Sequence, residues 1–129
     1  MILGIGIDIV VIPRFERMIE RSDNLFFEEI FTGSEIERAG KQPDIAKAYA
    51  QRFALKEAFM KALGWGLSEG FIWKNIEILE TLHSRHKNIS YNISGRVRNR
   101  LDELAANDIS LSFSNCGNFS AAIAILEKN

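Results

Sequence analysis

The chain has 129 residues, 47% of them hydrophobic, and 16 Lys plus Arg against 17 Asp plus Glu give a formal net charge of −1. This balance predicts one folded domain over residues 1–129 and excludes a disordered chain and, with no interleaving of basic and aromatic residues, a nucleic-acid binder. Cys116 is the single cysteine, which excludes an intramolecular disulfide framework and agrees with a reducing, cytoplasmic setting; no apolar run approaches the roughly 20 residues of a membrane span, and the apolar start lacks a basic leader and carries Asp8, unlike a signal peptide.

Residues 1–12 are rich in β-branched side chains and alternate with a period of two, which predicts a strand. Leu3, Ile5, Ile7 and Ile9 share one face. Gly4, Gly6 and Asp8 share the other, so an acid stands on a surface stripped of side chains, where a backbone or a ligand can approach closely. Two readings stay open: the glycines mark a bulge or tight packing and Asp8 ends the strand, or Asp8 is a seat for a hard cation. Both glycines lie inside the strand with no third at the required spacing, so this is not a dinucleotide fingerprint.

Pro13 opens a helix over 13–21 with Phe15, Met18 and Ile19 as its apolar stripe. Arg14, Arg17 and Arg21, at i, i+3 and i+7, gather on one face as a compact basic ridge, which Glu16 and Glu20 would balance if it were only a solvated surface. A helical stretch over 23–31 follows, then a short helix capped by Thr32 or Ser34, with Glu35 or Glu37 completing a capping box. Pro43 breaks the chain before a long helix over 45–63.

That helix sets charges into an apolar stripe. Glu57 has Phe53, Ala54, Met60 and Lys61 as its neighbours three and four positions away, and an unpaired carboxylate among hydrophobes costs several kcal/mol. An i,i+4 salt bridge with Lys61, a metal ion, or both would offset that cost. Arg52 and Lys56 lie one turn apart on another side. Gly64 reads as the helix cap, followed by Trp65 and Gly66. Strands over 72–82 and 89–94 join through a polar loop in which His83 and His86 read as exposed turn residues. A helix over 95–106 buries Val97, Leu101 and Leu104, and a hairpin pairs 109–113 with 119–126. The last strand is apolar on both sides, as at an interface. The pattern is α+β, a single domain with an antiparallel sheet and a long central helix.

Three pieces of this chain together resemble the holo-acyl carrier protein synthase family of the 4′-phosphopantetheinyl transferase superfamily. They are Gly4-Ile5-Gly6-Ile7-Asp8-Ile9-Val10, then Arg52-Phe53-Ala54-Leu55-Lys56-Glu57-Ala58 with Lys61-Ala62-Leu63-Gly64 and Gly66, and Ser110-Leu111-Ser112. The resemblance spans nearly the whole chain and implies the 4′-phosphopantetheinyl transferase fold. It also implies transfer of the phosphopantetheine arm of coenzyme A to a serine hydroxyl of an apo-acyl carrier protein in fatty acid synthesis, releasing adenosine 3′,5′-bisphosphate. A carrier of secondary metabolism, or coenzyme A binding without transfer, are the alternative functions.

By motif match, Asp8 and Glu57 are the implied ligands of Mg²⁺, and Glu57 and Lys61 the implied catalytic pair. Lys61 would neutralise charge on the phosphates, and the general base is left open, as Glu57 acting directly or through a metal-bound water. The implied coenzyme A contacts are Arg52 to the 3′-phosphate, Lys61, Gly64 and Gly66 to the diphosphate, Lys87 in place of a Gly-Lys-Pro turn, and Asn115 where the family usually has a histidine. Asn115 donates hydrogen bonds but carries no charge. The ridge of Arg14, Arg17 and Arg21 is the implied docking surface for the acidic carrier. A homotrimer with active sites between subunits is the implied assembly.

Overall fold

The computed structural model describes residues 1–64, 73–81 and 89–129. Its axis is a helix, α4 (Ile45–Ala62). From Ala46 to Ala62 every residue is buried except Lys47, Glu57 and Lys61. Alanines at 46, 48, 50, 54, 58 and 62 favour the helix and give it low sides, so neighbours approach from nearly all round. The expected apolar stripe is thus an apolar cylinder, and Glu57 and Lys61 mark the gap in its cover.

One side of α4 is covered by a three-stranded antiparallel sheet in the order β1–β5–β4, built from β1 (Ile2–Val11), β4 (Asp108–Cys116) and β5 (Phe119–Glu127). The glycine face of β1 is the one that packs inward. A Cβ at Gly4 would overlap the carbonyl oxygen of Ala62, and one at Gly6 that of Ala58. Tight packing therefore accounts for both glycines, and it carries Asp8 inward with them. The opposite face stays open: Ile5, Ile7 and Ile9 are 55%, 61% and 64% exposed.

The remaining helices wrap the other sides. Ile12, Phe15 and Met18 bury the face of α1 (Ile12–Glu20), and α2 (Asn24–Ile30) adds Phe27 and Ile30. In α3 (Gly33–Gly40) the expected capping box forms between Thr32 and Glu35. The helix α5 (Gly95–Leu104) buries Val97 and Leu101.

The described strands form two sheets where the sequence pattern had suggested one. β2 (Ile76–Glu80) pairs only with β3 (Ser90–Ile93). Its free edge is occupied by side chains: Glu35 accepts from the Ile78 amide at 3.1 Å, Lys56 donates to the Ile76 carbonyl and Arg52 to the Ile78 carbonyl. An edge satisfied in this way has nothing left to offer a third strand. Residues 73–75, expected as strand, form a single 3₁₀ turn.

Candidate active site

Asp8 and Glu57 come from elements distant in sequence and meet because the glycine face of β1 lies flat on α4. Lys61 Nζ donates to Asp8 Oδ1 at 3.0 Å and to the Ile7 carbonyl at 3.1 Å. The i,i+4 pair with Glu57 that the residues alone allowed is not formed, since the lysine turns to the strand. Asp8 Oδ2 is buried without a hydrogen-bond partner. Glu57 is half-buried, and its carboxyl is pushed up from 4.5 to about 7, first by burial, then by a side-chain hydrogen bond with Asp8 and by the charge of Asp8, against the pull of Lys61 and Arg14. The two statements agree if the hydrogen bond exists only with a proton on Glu57. With both acids ionised, Asp8 Oδ2 faces a second negative charge and no donor.

Arg14 joins this site from α1. Its guanidinium carbon lies 5.6 Å from the centroid of the Phe53 ring, 5.8 Å from that of Phe26 and 6.0 Å from that of Phe15. Phe53 in turn stacks on Trp73 with centroids 5.1 Å apart. An arginine held over aromatic faces keeps its charge while losing freedom. Arg14, Arg17 and Arg21 are all exposed, and the charge of Arg14 acts on Glu57. Spacing revealed the ridge; nothing in it revealed the aromatic seat.

Arg52, the expected 3′-phosphate contact, lies inside the protein. It is 2% exposed, and its guanidinium donates to the carbonyls of Ile78 at 3.1 Å, Leu79 at 2.9 Å and Ala48 at 3.3 Å. Five residues along a helix correspond to a turn of about 140°, so Arg52 and Glu57 leave α4 on different sides. Arg52 borders a cleft of about 250 Å³ lined by Asp44, Lys47, Gln51 and Glu80, away from Asp8.

Lys56 is likewise internal. Lys56 and Glu35 both have 0% side-chain exposure and pair at 2.7 Å. The remaining ammonium hydrogens reach the carbonyls of Trp73 at 3.1 Å and Ile76 at 2.5 Å. Burial lowers the proton affinity of Lys56 and the charge of Glu35 partly restores it. The capping-box pattern foretold Glu35 as a cap, but no local signal announced its second task.

Gly64 is exposed and left-handed, with φ of 75°. It lies three residues beyond Lys61, just past the C-terminal end of α4. Asn115 stands on the inward face of β4, paired through Ser120 to Val10, one inward row from the row of Phe113, Ala122 and Asp8. Its Oδ1 and Nδ2, like Ser120 Oγ, are buried without a partner. Asn115 therefore shares the sheet face of Asp8, with its amide turned into the protein. Gly66 and Lys87 lie outside the described residues, as do Trp65, His83 and His86.

Residues 4–124 match the sequence model of the 4′-phosphopantetheinyl transferase superfamily. The chain is 38% identical to a holo-[acyl-carrier-protein] synthase of Geobacter metallireducens over 128 residues, 99% of each chain. Its structure is similar to the crystal structure of holo-[acyl-carrier-protein] synthase from Neisseria meningitidis, with TM-score 0.83 and 30% identity over 99% of this chain and 100% of that one. It is also similar to the holo-(acyl-carrier-protein) synthase of Bacillus anthracis in complex with CoA (3′,5′-ADP), with TM-score 0.74 and 30% identity over 100% and 99% of the two chains.

Proposed function

The chain belongs to the 4′-phosphopantetheinyl transferase superfamily, and from this we infer that it moves the 4′-phosphopantetheine group of coenzyme A onto a serine hydroxyl of apo-acyl carrier protein, in the cytoplasm and in the service of fatty acid synthesis. The observation that carries this reading is the meeting of Asp8, Glu57 and Lys61, the motif residues of β1 and α4, at a gap in the cover of α4.

Two carboxylates pressed together, one with an orphaned buried oxygen, are a donor set that fits a hard divalent cation. Among the described residues no group of three or more His, Cys, Asp or Glu gathers for a metal. Mg²⁺ takes one or two carboxylates from a protein and leaves its other positions to phosphate oxygens and water. Asp8 and Glu57 would hold it, and when bound it supplies positive charge to the diphosphate of coenzyme A.

The serine oxygen forms a bond to the phosphorus that bears pantetheine, the bond from that phosphorus to the bridging oxygen breaks, and adenosine 3′,5′-bisphosphate leaves. Lys61, half-exposed and anchored on Asp8 and Ile7, offsets the negative charge gathering on the leaving phosphate. Glu57 takes up the hydroxyl proton directly or through one water. Arg14, Arg17 and Arg21 receive the acidic carrier and bring its serine to the Glu57 side of α4. Gly64 and Gly66 let the backbone approach the diphosphate, and Lys87 adds a charge to it. Arg52 and Asn115 complete the proposed contacts to coenzyme A, Arg52 at its 3′-phosphate.

The open face of the three-stranded sheet is proposed to be covered by further copies of the chain in a homotrimer, which brings a neighbour's surface beside Asp8. No helix among the described residues is long and apolar enough to cross a membrane. Incubation with apo carrier protein, coenzyme A and Mg²⁺ is expected to add one phosphopantetheine mass per carrier. Binding of coenzyme A with no mass gain would instead identify a coenzyme A-binding protein without transferase activity.

A further inference from the structure

Helix α4 ends at the site, and it ends with the wrong polarity for an anion. The last carbonyls of a helix carry roughly half a negative elementary charge, so a diphosphate approaching the Gly64 turn meets repulsion that cations must offset. Lys61 is one such cation, though its ammonium is shared with Asp8 and the Ile7 carbonyl. A second stands on α5. Arg100 donates from Nε to the Leu63 carbonyl at 3.3 Å, covering the end of α4, and from Nη1 to Glu103 at 3.3 Å.

These two contacts leave Nη2 without a hydrogen-bond partner among the described residues. That nitrogen lies 3.9 Å from where a Cβ on Gly64 would stand. Gly64 is exposed and follows Lys61 by three residues, so Nη2 stands beside the exposed turn that ends α4. Capping of α4 explains Nε and the ion pair explains Nη1. Neither explains a third nitrogen held over an exposed glycine.

We propose that Arg100 is a substrate-binding residue whose Nη2 donates to a diphosphate oxygen of coenzyme A at the Gly64 turn. The proposal rests on the transferase reading for the identity of the ligand. Arginine suits the task because its planar fork serves the helix end and the phosphate together, which a lysine ammonium at the same place cannot do.

The test uses the full chain with Arg100→Ala and Arg100→Lys. Coenzyme A binding is measured by calorimetry in the absence of carrier, so the result stands whether or not transfer is observed in the mass assay. Loss of one charge-assisted contact is expected to weaken binding about tenfold in Arg100→Ala and by less in Arg100→Lys. In turnover, KM for coenzyme A rises while kcat and KM for the carrier stay within about twofold, a split that a merely structural cap would not give. Raising NaCl weakens coenzyme A binding to the wild type more than to Arg100→Ala, because one screened contact has gone. Unchanged coenzyme A affinity in both variants overturns the proposal. So does a loss of kcat, carrier affinity and coenzyme A affinity together that follows a lowered melting temperature, since that leaves Arg100 as a helix cap alone.

Discussion

Glu57 shows how the site stores its readiness. Its carboxyl titrates near 7 in the folded chain against an ordinary 4.5 because it is half-buried beside Asp8. The folded state therefore holds this proton more tightly than the unfolded chain does. Stabilisation from the group is complete below about pH 4.5 and is lost as pH rises through about 7. Glu57→Gln removes the ionisation without changing the shape. At pH 8 the variant is expected to melt about 3–5 °C higher than the wild type, after allowance for partial exposure, with the gap closing by pH 4.5. Its transfer rate should fall at least about 100-fold in the same preparations. Mg²⁺ affinity of the wild type, followed by calorimetry, should drop about tenfold per pH unit below 7, since the cation competes with that proton. Equal melting temperatures at pH 8 would show that the two acids are not in conflict.

At the scale of elements, the buried pair of Lys56 and Glu35 decides how α4 sits. The two charges join α3, α4 and β2 at the residue next to Glu57, and every hydrogen of the ammonium has an acceptor. Removing one partner leaves the other charged in a dry site, at a cost of about 3–5 kcal/mol. Lys56→Met and Glu35→Leu are each expected to be destabilised on that scale in urea unfolding, and the double variant to recover most of the loss. Additive losses would mean that the pair contributes through packing instead.

The same pair marks the limit of what could be read from the chain. Periodicity and caps revealed the helices, because 3.6-residue spacing and capping chemistry are local. They also revealed the alternation of β1, the basic ridge and the likeness of Asp8, Glu57 and Lys61 to a known motif. The burial of Lys56 and Arg52 was not legible. Each depends on carbonyls of β2, some twenty or more positions away, which no spacing rule reaches. The partition into two sheets escaped for the same reason, since those side chains are what close the edge of β2.

For the whole molecule, the unresolved matter of energy is the outer face of the three-stranded sheet. Ile5, Ile7, Ile9, Val11 and Phe119 are all exposed there, and the register sets Ile7 opposite Ile123 and Ile5 opposite Ile125. A contiguous apolar surface of this kind is characteristic of an interface, and it forms because the glycine face of β1 was taken by α4. Placing Asp8 inward and leaving the isoleucines outward are thus one event, forced by the alternation of a single strand. Ile7→Lys tests the proposed assembly without disturbing the core, as Ile7 is 61% exposed. The variant should keep its circular dichroism spectrum, sediment as a monomer where the wild type sediments as a trimer, and lose transfer because a neighbour no longer completes the nucleotide site. A monomeric variant with full turnover would confine the active site to one chain, and a wild type that is itself monomeric would leave the apolar face to another partner.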